Sequence, residues 1–326
     1  MADLSVGGQA VIEGVMMRSR DRVATAVRTP SGEILIKTEE YVPLSRRHRV
    51  LNVPVLRGAV AFVEMLVLGI RTLNFSAEIA IQEAEKEEAV KEGREYKPNK
   101  NNRNALLMIG TAIMAMALGI GIFFYLPLAA AQGVADLFGY GREAVGFNLV
   151  AGAVRLLLFL LYVWAISLFG EFRRVFQYHG AEHKSIYTYE MGHELTPQLA
   201  AGFTRFHPRC GTSFILIVAL LAILVYSVSD SIYALIVGHA PALGPRFAVH
   251  FSLLPIVAGA SYELLKLSGK TRDNAVTRVL IAPGLWLQRI TTKEPSLDQL
   301  EVAIAALEAS LGVTESKLTC RRTPVS

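Results

Sequence analysis

Thr212-Ser-Phe-Ile-Leu-Ile-Val-Ala-Leu-Leu-Ala-Ile-Leu-Val-Tyr-Ser-Val-Ser229 runs without a single charge and without a polar face. At about 1.5 Å per residue, such a helix spans most of a hydrocarbon layer roughly 30 Å thick. A surface helix of a soluble protein would show a charged stripe opposite its apolar one. None is present here, so the stretch is read as a helix in lipid.

Three more runs share this character: Ala105 to Leu126, Phe147 to Gly170 and Phe247 to Leu265. The second contains Arg155, which in lipid needs either the nearer interface or a polar partner. The expected fold class is mainly α, a polytopic membrane protein with about four transmembrane helices. Composition agrees, with 52% hydrophobic and only 19% charged residues and a mean hydropathy of +0.38.

Charge fixes the expected orientation. Lys91, Arg94, Lys97, Lys100 and Arg103 precede the first run. Arg173, Arg174, Lys184, Arg205 and Arg209 lie between the second and third, and Lys266, Lys270, Arg272 and Arg278 follow the fourth. The remaining loops carry only Arg142 and Arg246. By the positive-inside rule the protein is expected in a bacterial plasma (inner) membrane, multi-pass, with both termini cytoplasmic. The net charge of +5 is then a property of the retained loops. The basic residues form no cluster interleaved with aromatics, so sequence-specific nucleic acid binding is not expected. Two cysteines, Cys210 and Cys320, are too few for a disulfide framework. The first residues lack a charged stretch before an apolar core, so no signal peptide is read.

Outward from the spans, six regions are expected. Residues 1–50 form an N-terminal β-rich cytoplasmic element, in which Val23–Arg28 and Glu33–Lys37 flank a turn at Thr29-Pro-Ser-Gly32. Glu13 is expected to form a salt bridge with Arg18. Residues 51–104 hold an amphipathic or re-entrant helix from Val53 to Ile70, with Arg57, Glu64 and Arg71 on one face. A charged helical arm from Glu78 to Lys97 follows, with Ser76 as its cap. Residues 105–170 carry the first two spans, 171–211 a motif loop, and 212–267 the last two spans. Residues 268–326 carry an interfacial or re-entrant segment around Pro283 and Trp286, then a cytoplasmic helix. A capping box at Ser296 and Gln299 opens that helix, and Gly312 stops it.

The motif loop bears the chemistry. It reads Tyr178-His-Gly-Ala-Glu-His-Lys184, then Phe206-His-Pro-Arg-Cys-Gly211. Helical geometry would put His179 and His183 on one face, as one metal ion requires, and with Glu182 the string fits H-x-x-E-H. Gly180 weakens that helix. His207 and Cys210, three apart around Pro208, resemble a zinc knuckle. The hairpin of the third and fourth spans returns Glu263 to the same level. The expected metal ligands are His179, His183, His207, Cys210 and Glu263, the cofactor a divalent metal of zinc type, and the catalytic base Glu182. Interfacial hydrogen bonding by the same histidines is the bland alternative. Ligand count separates a structural site, closed by four protein ligands, from a catalytic one with three and water.

Four strings carry a family resemblance: Gly7-Gly-Gln-Ala-Val-Ile-Glu-Gly-Val-Met-Met-Arg18, His179-Gly-Ala-Glu-His-Lys184, His207-Pro-Arg-Cys-Gly-Thr-Ser-Phe214 and Ala282-Pro-Gly-Leu-Trp-Leu-Gln-Arg289. With these the chain resembles, over nearly its whole length, the YqhQ-like bacterial membrane proteins. That group of unknown function is commonly labelled "predicted metal-dependent enzyme". The label rests on the same His, Glu and Cys positions and adds no independent support. Many members carry Cys where this chain has Thr188, which implies that no essential ligand sits there.

Two functions are expected to compete. One is a metal-dependent hydrolase at the membrane surface, with Glu182 taking a proton. The other is a non-enzymatic membrane factor that binds a cytoplasmic protein, a ribosome or anionic lipid, its metal merely stapling the loop. Membrane lipids are partners in both, and homo-oligomerisation is open. A carrier is disfavoured, because four spans are few and no paired broken helices appear.

Overall fold

A computed structural model describes residues 6–94, 102–138, 144–270 and 274–313. Lys97, Lys100, Arg142, Arg272 and Cys320 lie outside the described residues. The chain opens with strands β1 (Gly7–Val11), β2 (Gly14–Arg18), β3 (Arg22–Arg28) and β4 (Ile34–Glu40), an antiparallel meander in that order. The expected hairpin around Thr29-Pro-Ser-Gly32 is its β3–β4 corner, with Arg28 opposite Ile34. Two more strands precede it, turning tightly at Ile12-Glu13, where Glu13 takes φ 51.

Helices follow. The short α1 (Leu44–Arg47) precedes α2 (Leu56–Lys91). Next come α3 (Asn102–Ile120), a π-helical turn (Gly121–Tyr125), α4 (Leu126–Phe138), α5 (Ala144–Ser167), α6 (Gly170–Glu190) and α7 (Pro197–Ala201). The chain continues through α8 (Gly211–Val237), α9 (Leu243–Lys270), α10 (Ala275–Thr291) and α11 (Leu297–Leu311). Among the described residues, four stretches are long and apolar enough to cross a membrane: Ile113–Phe138, Val145–Ser167, Phe214–Val237 and Leu243–Leu267. In space α5 packs on α4 and α8, α8 on α9, and α9 touches α4, which closes a four-helix bundle.

Several expectations shift. The first apolar stretch runs on to Phe138 instead of stopping at Leu126, although Pro127 lies inside it. Pro127 has no N–H for the carbonyl of Phe123, and Arg155 Nε donates to that oxygen at 3.0 Å. The proline is tolerated because a neighbouring helix satisfies the freed group. The separate interfacial helix and charged arm are one helix, α2, packed along α9. Ser76 does not cap it; the buried side chain accepts from Ile12 N at 3.3 Å and so ties α2 to the β1–β2 turn. Glu13 bonds Arg174 through both carboxylate oxygens rather than pairing with Arg18. Arg18 instead lies over the Tyr41 ring.

Much of the motif loop is helix. α6 leaves the bundle just after α5 and packs, with α11, against the sheet. Tyr178, Ala181, Ile186, Leu300, Ala303 and Leu307 meet Val15, Met17 and Ala26 there in one apolar core. Burial of that area is the main stabilising term for the module. The expected capping box is present at the start of α11, and Gly312 ends it in the left-handed conformation.

Candidate metal centre

The helix α6 that the core fixes places His179 and His183 one turn apart, their rings 4.5 Å between centroids. Gly180 does not break it. A Cβ there would lie 2.1 Å from the carbonyl oxygen of Lys293, so glycine is what admits the segment after α10 against the helix. Lys293 N donates to Phe176 O at 2.8 Å in that contact.

This crossing sets the histidine tautomers. His179 Nδ1 lies 2.8 Å from Thr291 O, and His183 Nδ1 lies 2.5 Å from Arg205 O. A carbonyl only accepts, so each Nδ1 carries the proton and each Nε2 keeps its lone pair. His179 Nε2 lies 3.2 Å from Cys210 Sγ. His183 Nε2 is buried without a directed hydrogen bond. One ligand atom from each of His179, His183 and Cys210 falls within 4.8 Å of the others. A metal-binding histidine held through its other nitrogen by a carbonyl is a common outer-shell arrangement.

Cys210 caps α8, its sulfur accepting from Thr212 N at 3.5 Å. It therefore sits at a helix N-terminus, where partial positive charge favours thiolate. Burial alone would raise its pKa, but the adjoining His183 ring and hydrogen bonding to Thr212 outweigh that and hold the thiol below its ordinary value. Burial, reinforced by His179, lowers the pKa of His183, keeping it neutral and ligand-competent.

Glu182 stands beside the cluster. Burial pushes its carboxyl up to about 8, with His179 and the Gly8 N–H pulling the other way and Cys210 adding to the rise. Its Oε2 is buried and has no hydrogen-bond partner. Gly8 is glycine for a spatial reason: a Cβ there would meet Glu182 Cγ at 2.9 Å and Met16 O at 2.7 Å. The Gly7-Gly-Gln string thus reaches the centre through its backbone.

Two expected ligands take other partners, although the His207 ring lies 5.6 Å from that of His183. His207 packs its ring against Tyr187, 4.6 Å between centroids, with Nε2 3.6 Å from Glu190 Oε2. Its backbone is clamped by Gln288, which accepts from His207 N at 2.7 Å and donates to His207 O at 2.8 Å. Glu263 bonds Arg57 through both oxygens, at 2.6 and 2.5 Å, docking α2 on α9. The supporting groups that sequence reading missed are backbone carbonyls and the buried Lys184. Lys184 Nζ donates to Ala201 O at 2.8 Å and pairs with Glu294. Carbonyls leave no mark on a sequence.

His179, His183 and Cys210 could hold a tetrahedral ion of zinc character through two imidazoles and a thiolate, which would leave one position open. Cys210 lies only four residues before Phe214, the first residue of an apolar stretch. The cluster therefore stands roughly 6 Å along the helix from that boundary.

Comparison with known proteins places the chain in context. A family described as "Protein of unknown function (DUF1385)" matches residues 53–313. The "Uncharacterized protein YqhQ" of Bacillus subtilis (strain 168) is 33% identical over 310 residues, covering 94% of this chain and 92% of that one. No solved structure matches the chain.

Proposed function

The chain belongs to the DUF1385 family, and from that premise we propose that it is an inner-membrane protein with a zinc-type site on its cytoplasmic face, serving a hydrolytic reaction at the membrane surface. One observation carries this reading. Two imidazoles have their Nδ1 protons committed to Thr291 O and Arg205 O, which leaves both Nε2 lone pairs for one centre beside Cys210 Sγ. The orphaned His183 Nε2 fits a ligand role better than a hydrogen-bonding one. When bound, the ion supplies Lewis-acid polarisation.

The residues of the chain do the rest. Glu182 holds or releases a proton at Oε2, and its raised pKa keeps that exchange near neutrality. Gly8 N–H orients the carboxyl. His179 is the partly exposed member of the set, so reactants approach from its side. The Lys and Arg distribution supports the cytoplasmic orientation of both termini.

A second reading has its own observation. Arg46, Arg47, His48 and Arg49 adjoin the exposed Val42, Leu44, Val50 and Val53. This basic, apolar surface suits anionic lipid or a soluble partner, and the ion would then only staple α6 to α8.

The test is metal content and coordination. Protein purified in detergent with zinc present should hold close to one equivalent, lost in Cys210→Ser and kept in Glu182→Gln. Cobalt-loaded protein should change its visible spectrum on adding imidazole if the fourth position is open. An unchanged spectrum favours the staple, and absence of zinc removes both metal readings.

A further inference from the structure

A second polar centre lies inside the bundle, at the other end of α8. Asp230 is buried and held by three groups. Asn148 Nδ2 donates at 2.8 Å, His250 Nε2 lies at 2.9 Å and Arg246 Nε at 2.9 Å. Asn148, Arg246 and His250 are themselves buried. Asp230 is twenty residues from Cys210, about 30 Å along the helix, so this centre is separate from the metal cluster.

One turn deeper is a layer of unused polar atoms around the Tyr226 ring. His250 stacks on that ring at 4.1 Å between centroids, and the guanidinium of Arg155 lies 5.8 Å from it. Arg155 also covers Phe124 at 5.1 Å. Tyr226 Oη, His250 Nδ1 and Arg155 Nη2 are all buried without a hydrogen-bond partner. Because Asp230 accepts from His250 Nε2, Nδ1 is the ring nitrogen left to accept. The three orphans therefore comprise a cationic donor, a hydroxyl and an acceptor.

Charge is unbalanced in the same place. Asp230 compensates Arg246, and among the described residues no carboxylate pairs with Arg155. An uncompensated arginine among apolar helices is costly, and buried polar atoms without partners call for a ligand or water. Tyr226 is roughly 16 Å along the helix from Val237, the end of its apolar stretch. That is too deep for a lipid headgroup and suits a small free solute.

We propose that Arg155, Tyr226 and His250 form a binding site for a small oxyanion carrying one O–H, of the hydrogenphosphate or bicarbonate type. Its charge faces Arg155 Nη2, Tyr226 Oη donates to it, and its O–H donates to His250 Nδ1. The Asn148–Asp230–Arg246 layer holds His250 in the accepting tautomer.

Equilibrium dialysis of the full chain in phosphatidylcholine nanodiscs, with radiolabelled inorganic phosphate at neutral pH, tests this. Saturable binding of one phosphate per chain is expected, and Cys210→Ser should retain it, which separates it from any phosphate held at the metal centre. Tyr226→Phe, which removes one oxygen and keeps the ring, should weaken binding by about tenfold, and Arg155→Gln by more. Chloride, which has no proton to give His250, should compete poorly. Absence of saturable binding, unchanged affinity in Tyr226→Phe, dependence on Cys210, or equal competition by chloride would each overturn the proposal. Should Arg155→Gln fail to fold, Tyr226→Phe and the chloride competition still decide it.

Discussion

Replacing Gly180 by alanine tests how the proposed metal centre is built without touching a proposed ligand. The new Cβ would sit 2.1 Å from Lys293 O, whereas a carbon–oxygen contact needs roughly 3.3 Å. The segment must therefore retreat by about 1 Å. Thr291 O lies two residues away on that segment and accepts from His179 Nδ1 at 2.8 Å. A retreat of that size takes the pair to about 3.8 Å, beyond hydrogen-bonding distance. His179 then loses what fixes its tautomer and ring orientation. Loss of such a support lowers metal affinity by about 10- to 100-fold, or roughly 1.4–2.8 kcal/mol. Competition between the purified protein and a chromophoric zinc chelator reads this directly. Gly170→Ala, with nothing within 4 Å of its Cβ, is the matched control and should bind zinc as the native protein does. Wild-type affinity in a folded Gly180→Ala variant would refute the link from crossing segment to tautomer to ion.

Two further outcomes follow from the same physics. In zinc-free protein the Glu182 carboxyl titrates near 8 when folded against an ordinary 4.5. A raised acid pKa contributes stability that is complete below about 4.5 and is lost as pH rises through about 8. The native chain should therefore lose more thermal stability than Glu182→Gln across that window; parallel curves would show that Glu182 is not buried as described. Asp230→Asn should destabilise the bundle in detergent by about 3–5 kcal/mol, since it strands Arg246 without its counter-ion. Asp230→Leu combined with Arg246→Met should recover most of that loss in denaturant titrations; additive losses would mean that the pair does not act as a unit.

How far the sequence discloses the candidate metal centre depends on what each candidate ligand looks like from outside. His179 and His183 are legible because one helix turn is a fixed distance, and that spacing survives into α6. Cys210 is legible as a candidate, although the knuckle pattern pairs it with His207 while the ligand atoms that lie together are those of His179, His183 and Cys210. The turn from His207 to Cys210, with Cys210 N bonded to His207 O at 3.3 Å, points the sulfur at α6. It leaves the imidazole facing Tyr187 and Glu190, further along the same helix. Spacing gives the separation of two residues along the chain but not which face of a turn each presents. Counting along the hairpin puts Glu263 on the side of the histidines, yet counting does not choose a partner, and Glu263 bonds Arg57 on α2. Gly180 shows the converse error. Propensity counts it against a helix, while packing against Lys293 O is the reason it is there.

The membrane-embedded centre was hidden by the rule that found the spans. Reading the third span as ending at Ser229 and the fourth as starting at Phe247 treats Asp230 and Arg246 as markers of the water boundary. Both apolar stretches in fact continue past them, to Val237 and back to Leu243. A charge marks a boundary only when it has no counter-ion at its own depth. Asp230 and Arg246 lie on the two arms of one hairpin and meet at 2.9 Å, so each removes the reason for the other to seek water. Hydropathy averages along one helix and cannot register a neutralisation that happens between two. The same blindness covers Arg155, whose Nε is met by the carbonyl that Pro127 leaves unbonded in a different helix. In an apolar helical pair, then, an Asp and an Arg on either side of the connecting turn mark an interior site as readily as a membrane edge. The sequence alone could have posed that choice, and only the packing of α5, α8 and α9 decides it.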